Sequence, residues 1–332
     1  MELIVNGTAI ARSSLGARRY YEAVRSRLDL PGTIEVANAP SGARTARIHE
    51  LFDRGRAGAV YWSPCHRGPL RARNHVVTVL DCINVEYTYL HDWRLPLLRG
   101  YLQALFSNAT AIVGISHATK NAILRNFNVD PDKITVIAGP TDIGLQPATD
   151  DDSTRSDHLE MAPFVLMIAN GLPHKNTGFA GRAFAASDAR KRGVTLKVIG
   201  SMTVEGMAAC VDAGIEVQQH KGIEDRTLGQ WMRHAVFLLS PSLDEGLNLP
   251  IAEAISLGTR VICSDIPVHR EFYDGFVEYF DPNVLESAVQ AMNTAFEGAP
   301  VRLGQKLLDA FSVATVAAKY GTLFKTISNN AR

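Results

Sequence analysis

Residues 240–254 read Ser240-Pro-Ser-Leu-Asp-Glu245-Gly-Leu-Asn-Leu-Pro250-Ile-Ala-Glu253-Ala, closing an apolar run and opening a helical pattern. Phe237-Leu-Leu just upstream has the continuous apolar character of a buried parallel strand. Asp244 to Leu249 reads as a turn, and Pro250 suits the first turn of a helix that runs to Gly258. Ligand chemistry collects at such strand-to-helix turns in open α/β sheets. The spacing predicts Glu245 in the crevice beyond the strand's carboxyl end and Glu253 further on, inside the helix. Amides of Gly246, Leu247, Asn248 and Leu249 point into the same crevice and, with the helix dipole, favour an anion. Carboxylates accept paired hydrogen bonds from sugar or ribose hydroxyls, so anion-binding amides beside two carboxylates suit a nucleotide sugar. Spacing alone equally fits a solvated loop charge at Glu245 and an ordinary first-turn glutamate at Glu253.

The chain has 332 residues, room for two α/β domains. Its 46% apolar and 20% charged residues fit a globular protein. No apolar run reaches the length of a membrane span, and Met-Glu-Leu-Ile-Val-Asn-Gly lacks the basic start of a signal peptide, so a cytoplasmic location is expected. Cys65, Cys82, Cys210 and Cys263 have no metal-ligand spacing and read as buried free thiols. The formal net charge is zero, which argues against nucleic acid as a partner. Residues 1–99 nevertheless hold 14 Arg and Lys against 9 Asp and Glu. That excess is either an even spread of solvated arginines or a basic face for anionic lipid headgroups or a pyrophosphate-linked acceptor.

Apolar runs alternate with helical patterns throughout, the signature of parallel sheets covered on both faces. Strands are expected at residues 2–5, 58–62, 76–80, 111–115 and 134–137, with helices at 16–28, 43–53, 95–106 and 117–127, the last capped by Ser116. A polar, acidic stretch at 148–157 breaks the series and reads as a linker, its Asp150-Asp151-Asp152 as solvated charge. A second series follows, with strands at 164–169, 195–199, 215–218, 236–239, 260–263 and 277–280 and helices near 176–189, 204–212, 226–233, 251–257 and 268–273. The tail is helical over 285–296 and 301–327. These patterns predict an α/β chain of two facing Rossmann-like domains with a cleft between them. The boundaries are 1–147, a linker at 148–162, 163–300, and a final helix at 301–332.

The stretch from Pro241 to Asp265 resembles the glutamate-x7-glutamate signature of the retaining family 4 glycosyltransferases, which have the glycosyltransferase B fold. Other blocks support the likeness. Pro173-His-Lys175-Asn176 resembles a turn whose lysine contacts the donor phosphates, although Asn170 stands where many relatives place an arginine upstream. Gly16-Ala-Arg-Arg19-Tyr20 looks like the family's glycine start, where a small residue lets the loop approach donor and acceptor. Trp62 to Leu70 and Val76 to Asp81 resemble blocks of mannosyltransferase-like members, with Leu80-Asp81 in place of the usual His-Asp. Neither His66 nor His91 can be promoted to that role from sequence. Ser116 falls in a block that puts it at a strand end facing the cleft, and Gly222-Ile223 resembles a turn whose backbone meets the nucleotide base.

The resemblance implies a retaining, metal-independent hexosyltransferase without a cofactor, whose final helix at 301–332 packs back on the N-terminal domain. Glu245 and Lys175 would act in catalysis, and Glu253, Gly246, Leu247, Asn248, Leu249, Ile223 and Asn176 would bind the donor. Gly16, Arg19, Asp81 and Ser116 would lie on the acceptor side. Leu247-Asn248 stands where relatives usually have Phe-Gly, so the Asn248 amide is expected beside the sugar. The implied donor is GDP-mannose, and the acceptor a saccharide or lipid-linked saccharide of surface polysaccharide synthesis, reached through peripheral contact with the inner membrane face. Two alternatives stay open: a nucleotide-sugar epimerase of the same fold and a non-catalytic nucleotide-sugar-binding protein.

Overall fold

A computed structural model describes residues 1–37, 48, 50–87, 93–140, 162–298 and 311–331. The expected linker, apart from Ala162, lies outside the described residues, as do Asp150-Asp151-Asp152, His91 and most of the helix expected over 43–53. Two compact units emerge, one of Met1–Ile143 with Ala310–Arg332 and one of Gly144–Asp309.

The first unit carries a six-stranded sheet: β1 (Glu2–Asn6), β2 (Thr33–Ala37), β3 (Val60–Ser63), β4 (His75–Val79), β5 (Ala111–Gly114) and β6 (Ile134–Val136). All neighbours pair in parallel, in the order β2-β1-β3-β4-β5-β6. Its helices up to the linker are α1 (Gly7–Ala11), α2 (Leu15–Ser26), α3 (Ile83–Glu86), α4 (Arg94–Asn108) and α5 (His117–Asn126). Strand β2 and helices α1 and α3 were not expected. Neither a continuous apolar run nor a long helical period marks these segments. Thr-Ile-Glu-Val-Ala is an edge strand with Thr33, Glu35 and Val36 exposed, and the two helices are only 5 and 4 residues long.

The second unit repeats the plan with β7 (Phe164–Asn170), β8 (Thr195–Ser201), β9 (Val217–His220), β10 (Leu238–Ser240), β11 (Val261–Ser264) and β12 (Glu278–Phe280), ordered β12-β11-β10-β7-β8-β9 and all parallel. Helices α6 (Thr177–Ala186), α7 (Val204–Asp212), α8 (Asp225–His234), α9 (Leu249–Ser256), α10 (Pro267–Tyr273) and α11 (Leu285–Phe296) flank it. Glycines let α6 and α7 approach closely: a Cβ on Gly181 would meet the Gly206 carbonyl oxygen at 2.3 Å.

The final helix, α12 (Val313–Asn330), belongs to the first unit. The Tyr320 hydroxyl lies 2.7 Å from that of Tyr20 and 2.8 Å from Thr78 Oγ1, while Tyr320 and Phe324 pack on the fully buried Trp62. Burial of the rings drives this docking, and the hydroxyl chain satisfies the polar atoms buried with them.

Candidate functional site

In the second unit the chain leaves β7 toward β8 and β9 on one side, then returns through β10 toward β11 and β12 on the other. β7 and β10 are hydrogen-bonded neighbours through Leu166 and Leu238, so the sheet's topological switch lies between their carboxyl ends. Both turns that leave it carry the residues singled out above.

After β7, Gly171 turns the chain at φ 71°, and Pro173–Lys175 makes one 3-10 turn that ends on Asn176 in the left-handed region. After β10, the turn runs from Pro241 to Asn248, which is also left-handed and precedes α9. The two turns are tied by Leu243 N–H, which donates to the His174 carbonyl at 2.7 Å. Across this tie Lys175 Nζ meets Glu245 Oε1 at 2.5 Å, and Ser242 Oγ donates to the same oxygen at 2.7 Å. Both bonds fall on Oε1, and no described residue donates to Oε2. Burial pushes the Glu245 carboxyl up, but the charge and hydrogen bond of Lys175 with the Ser242 bond outweigh it and hold the group below its ordinary value. Glu245 is therefore an ionised acceptor with an open oxygen, beside an ammonium that has two further hydrogens to give.

The backbone N–H groups of Gly246, Leu247, Asn248 and Leu249 have no acceptor among the described residues. Asn176 and Asn248, at the starts of α6 and α9, make no side-chain cap. Two helix N-termini thus meet the switch with their first donors unengaged by a cap, an arrangement that favours a bound anion.

Behind the turn sits a network that the sequence reading missed. The His269 Nδ1–H donates to the Ser264 carbonyl at 2.8 Å, which leaves Nε2 to accept from the Asn248 amide at 2.9 Å; the same amide donates to Ser240 Oγ at 2.8 Å. Burial drops the His269 pKa to about 4, so the ring is neutral, as that pattern requires. The Tyr273 hydroxyl lies 2.8 Å from the Leu247 carbonyl and 3.1 Å from that of Asn248. Burial, then the charges of Glu245, Cys263 and Glu253, raise this phenol well above its ordinary value. Both acidic residues of the opening motif thus act on one tyrosine, with Glu253 buried in α9. A signal for the network was available: Ser240, Ser264 and His269 are polar residues in or beside apolar strand patterns, and such groups must find partners.

Several expected roles change. The Asn248 amide, expected beside the sugar, turns inward and has both N–H bonds engaged by Ser240 and His269, because a buried amide must be satisfied from within. Ser116, expected to face a cleft, is fully buried as the cap of α5, accepting from Thr119 N–H at 2.9 Å. The Asn176 amide points to the Pro282 carbonyl at 3.4 Å. Ile223 lies in the turn after β9, two strands from the switch. In the first unit, Gly16 is exposed in the first turn of α2 with nothing near its missing Cβ, so the unit's own packing does not demand a glycine. Arg19 is half-buried on the same helix. Asp81 accepts from Ile83 N–H at 3.2 Å and acts on His66, whose Nδ1 is buried without a partner and whose pKa is lowered by burial against the pull of Asp81.

The family described as glycosyl transferases group 1 matches residues 149–306, nearly the whole second unit. The O-antigen chain mannosyltransferase RfbU of Salmonella typhimurium is 26% identical over 225 residues, 66% of this chain and 59% of that protein, so the chain spans under two thirds of the relative's length. Among solved structures, sucrose-phosphate synthase from Thermosynechococcus elongatus aligns over 99% of both chains at a TM-score of 0.71 and 15% identity. HepE from Anabaena, in complex with UDP and glucose, aligns over 99% of this chain and 97% of its own at 0.63 and 16%. The second unit thus resembles the group 1 glycosyl transferases over residues 149–306, and the chain as a whole has the glycosyltransferase B fold of the solved structures it aligns with.

Proposed function

We propose that the chain is a retaining glycosyltransferase that moves mannose from GDP-mannose onto a saccharide or lipid-linked saccharide in surface polysaccharide synthesis. One observation carries the reading. At the switch of the second unit, the open Oε2 of Glu245 stands beside Lys175 and a turn of four unbonded amides. Glu245 takes the sugar hydroxyls, Lys175 and the amides take the diphosphate, and Glu253 takes the ribose. The charge that grows on the departing diphosphate is stabilised by these fixed donors, which needs neither a metal nor a cofactor. The leaving phosphate accepts the acceptor's proton on the face it departs from, so no protein nucleophile is required. The first unit, with Gly16, Arg19 and Asp81, holds the acceptor. Among the described residues no helix is long and apolar enough to cross a membrane. The protein works in the cytoplasm and meets a lipid-linked acceptor at the membrane's inner face.

The mannosyl assignment is supported by the similarity to RfbU, whereas HepE was solved with UDP and glucose. Purified protein incubated with GDP-mannose, GDP-fucose, UDP-glucose and UDP-N-acetylglucosamine, with and without a lipid-linked oligosaccharide, decides between them. The expected result is acceptor-dependent GDP release from GDP-mannose alone. Transfer only from UDP-glucose removes the mannose assignment, and conversion of the donor sugar without acceptor makes the protein an epimerase. Nucleotide binding without turnover on any acceptor makes it a binding protein.

A further inference from the structure

The first unit exposes three large apolar side chains on neighbouring segments: Phe52 at 68%, Trp93 at 64% and Leu97 at 65%. Trp93, Leu97 and Tyr101 follow at intervals of four and so form one row along α4. The row ends on Tyr101, whose hydroxyl donates to the Gly68 carbonyl at 2.9 Å and accepts from Gly68 N–H at 2.8 Å. Residues 68–73 then continue to the third segment, with Leu70 N–H on the Leu51 carbonyl and Arg73 N–H on the Arg54 carbonyl, both at 3.1 Å. The Tyr101 hydroxyl and these backbone bonds therefore tie the Tyr101 end of the row to the segment that carries Phe52.

Basic residues dominate its charge, although Asp53 follows Phe52 and Asp92 precedes Trp93 in the sequence. No Asp or Glu occurs from Arg54 to Leu80 or from Trp93 to Val129. Arg71, Arg73 and Arg94 are exposed and have no carboxylate partner among the described residues, and the Arg94 guanidinium sits 5.0 Å over the Trp93 ring. The nearby Asp53 is half-buried, accepting from Gly55 N–H and the Tyr61 hydroxyl. An apolar row with an arginine-stacked tryptophan, set among unpaired arginines, matches the boundary between acyl chains and anionic headgroups.

We infer that Phe52, Trp93 and Leu97, with Arg71, Arg73 and Arg94, form the surface by which the first unit docks on an anionic lipid bilayer. This deepens the reading of a membrane-borne acceptor. The test is flotation of the full chain with vesicles of phosphatidylcholine alone or mixed with phosphatidylglycerol, with no donor or acceptor present. The protein floats with the mixed vesicles, sinks with the neutral ones, and is released by salt. Each arginine near an anionic surface contributes about a fivefold gain in partition, so Arg71→Ser with Arg73→Ser lowers it about tenfold or more. Trp93→Ala with Leu97→Ala lowers it to a similar extent, while Val204→Ala leaves it unchanged. Trp93 is the exposed tryptophan beside the buried Trp62 and half-buried Trp231, so vesicles shift the emission to the blue and Trp93→Phe abolishes the shift. These exposed positions leave the far-ultraviolet circular dichroism unchanged, which confirms that each variant is folded. Failure of the wild type to float, equal binding to neutral vesicles, or variants that bind like the wild type overturns the surface. A protein that floats yet transfers no sugar leaves the surface standing and sinks the transfer reading; one that transfers but does not float does the reverse.

Discussion

In the first unit the helices that follow β1 begin on side chains that close them. Asn6 Oδ1 accepts from Ala9 N–H at 3.0 Å and Ser14 Oγ from Ala17 N–H at 3.3 Å. In the second unit the helices after β7 and β10 begin on Asn176 (φ 49°) and Asn248 (φ 66°), left-handed and without a side-chain cap. The local cost of leaving donors open is tolerated at the two helix starts beside the switch and avoided at the two that follow β1. A cap oxygen that satisfied those amides would occupy the place of an anion, so the two open helix starts suit the phosphates of the proposed donor.

The largest way to sharpen this contrast is to change the open carboxylate. Glu245→Gln keeps the shape and the Ser242 contact but removes the charge that faces Lys175 and the sugar. Transfer is expected to fall by about 100-fold or more while the protein stays folded, with a lower melting temperature because the amide gives Lys175 a hydrogen bond but no countercharge. On the other side of the comparison, Ser312→Ala removes the cap of α12, costs about 1 kcal/mol of stability and leaves kcat untouched. Steady-state kinetics and thermal melts on both variants check the pair. Unchanged turnover in Glu245→Gln ends the role assigned to that residue.

Lys175→Met acts on the same site through stability. It leaves the buried Glu245 without its cation, and loss of one partner from a buried pair costs about 3 kcal/mol. Removing both charges, Lys175→Met with Glu245→Leu, recovers most of that loss in a urea titration, while neither variant transfers sugar. A single variant as stable as the wild type would show that solvent already screens the pair.

Acid separates the units less sharply. His269 in the second unit and His75 in the first are buried and neutral, with pKa values brought down by burial to about 4 and about 3. Below the ordinary histidine value of about 6.5 the unfolded chain takes up these protons and the folded chain does not. Stability therefore rises with pH inside each window and is lost as pH falls from about 6.5 toward about 4 for His269 and about 3 for His75. The His269 loss approaches about 3 kcal/mol at full extent. His269→Gln flattens the stability profile between pH 6 and 4, a window set by these pKa values, whereas His75→Gln flattens it further into acid; denaturant titrations across pH read both.

How much of this was legible follows from which contacts are local. The turn at 244–249, its proline and the spacing of Glu245 and Glu253 lie within one strand and one helix, where apolar runs and Pro250 fix the register. Most buried strands were readable for the same reason. The pairing of Lys175 with Glu245 spans 70 positions and exists because β7 and β10 are neighbours at the switch, which no local pattern encodes. The bond between Tyr320 and Thr78 spans 242 and depends on how α12 docks. The inward turn of Asn248 depends on His269, 21 residues away, so the residue type was visible and its direction was not.

That direction gives the smallest expected effect. Asn248→Gly deletes the bonds to Ser240 and His269 but places the residue best suited to φ 66° at the start of α9. Two lost hydrogen bonds, partly offset by the relieved backbone, leave a net destabilisation of about 1 kcal/mol. Asn248→Ala loses the same bonds without the relief and is the less stable of the two. Because the amide faces the interior, the ratio of kcat/KM values for two nucleotide sugars stays within about twofold in Asn248→Gly, far less than loss of a hydrogen bond to substrate produces. A larger change in that ratio would mean that Asn248 turns toward the sugar when donor binds. The open helix start would then owe its selectivity to a side chain, and the contrast between the two units would rest on more than their backbones.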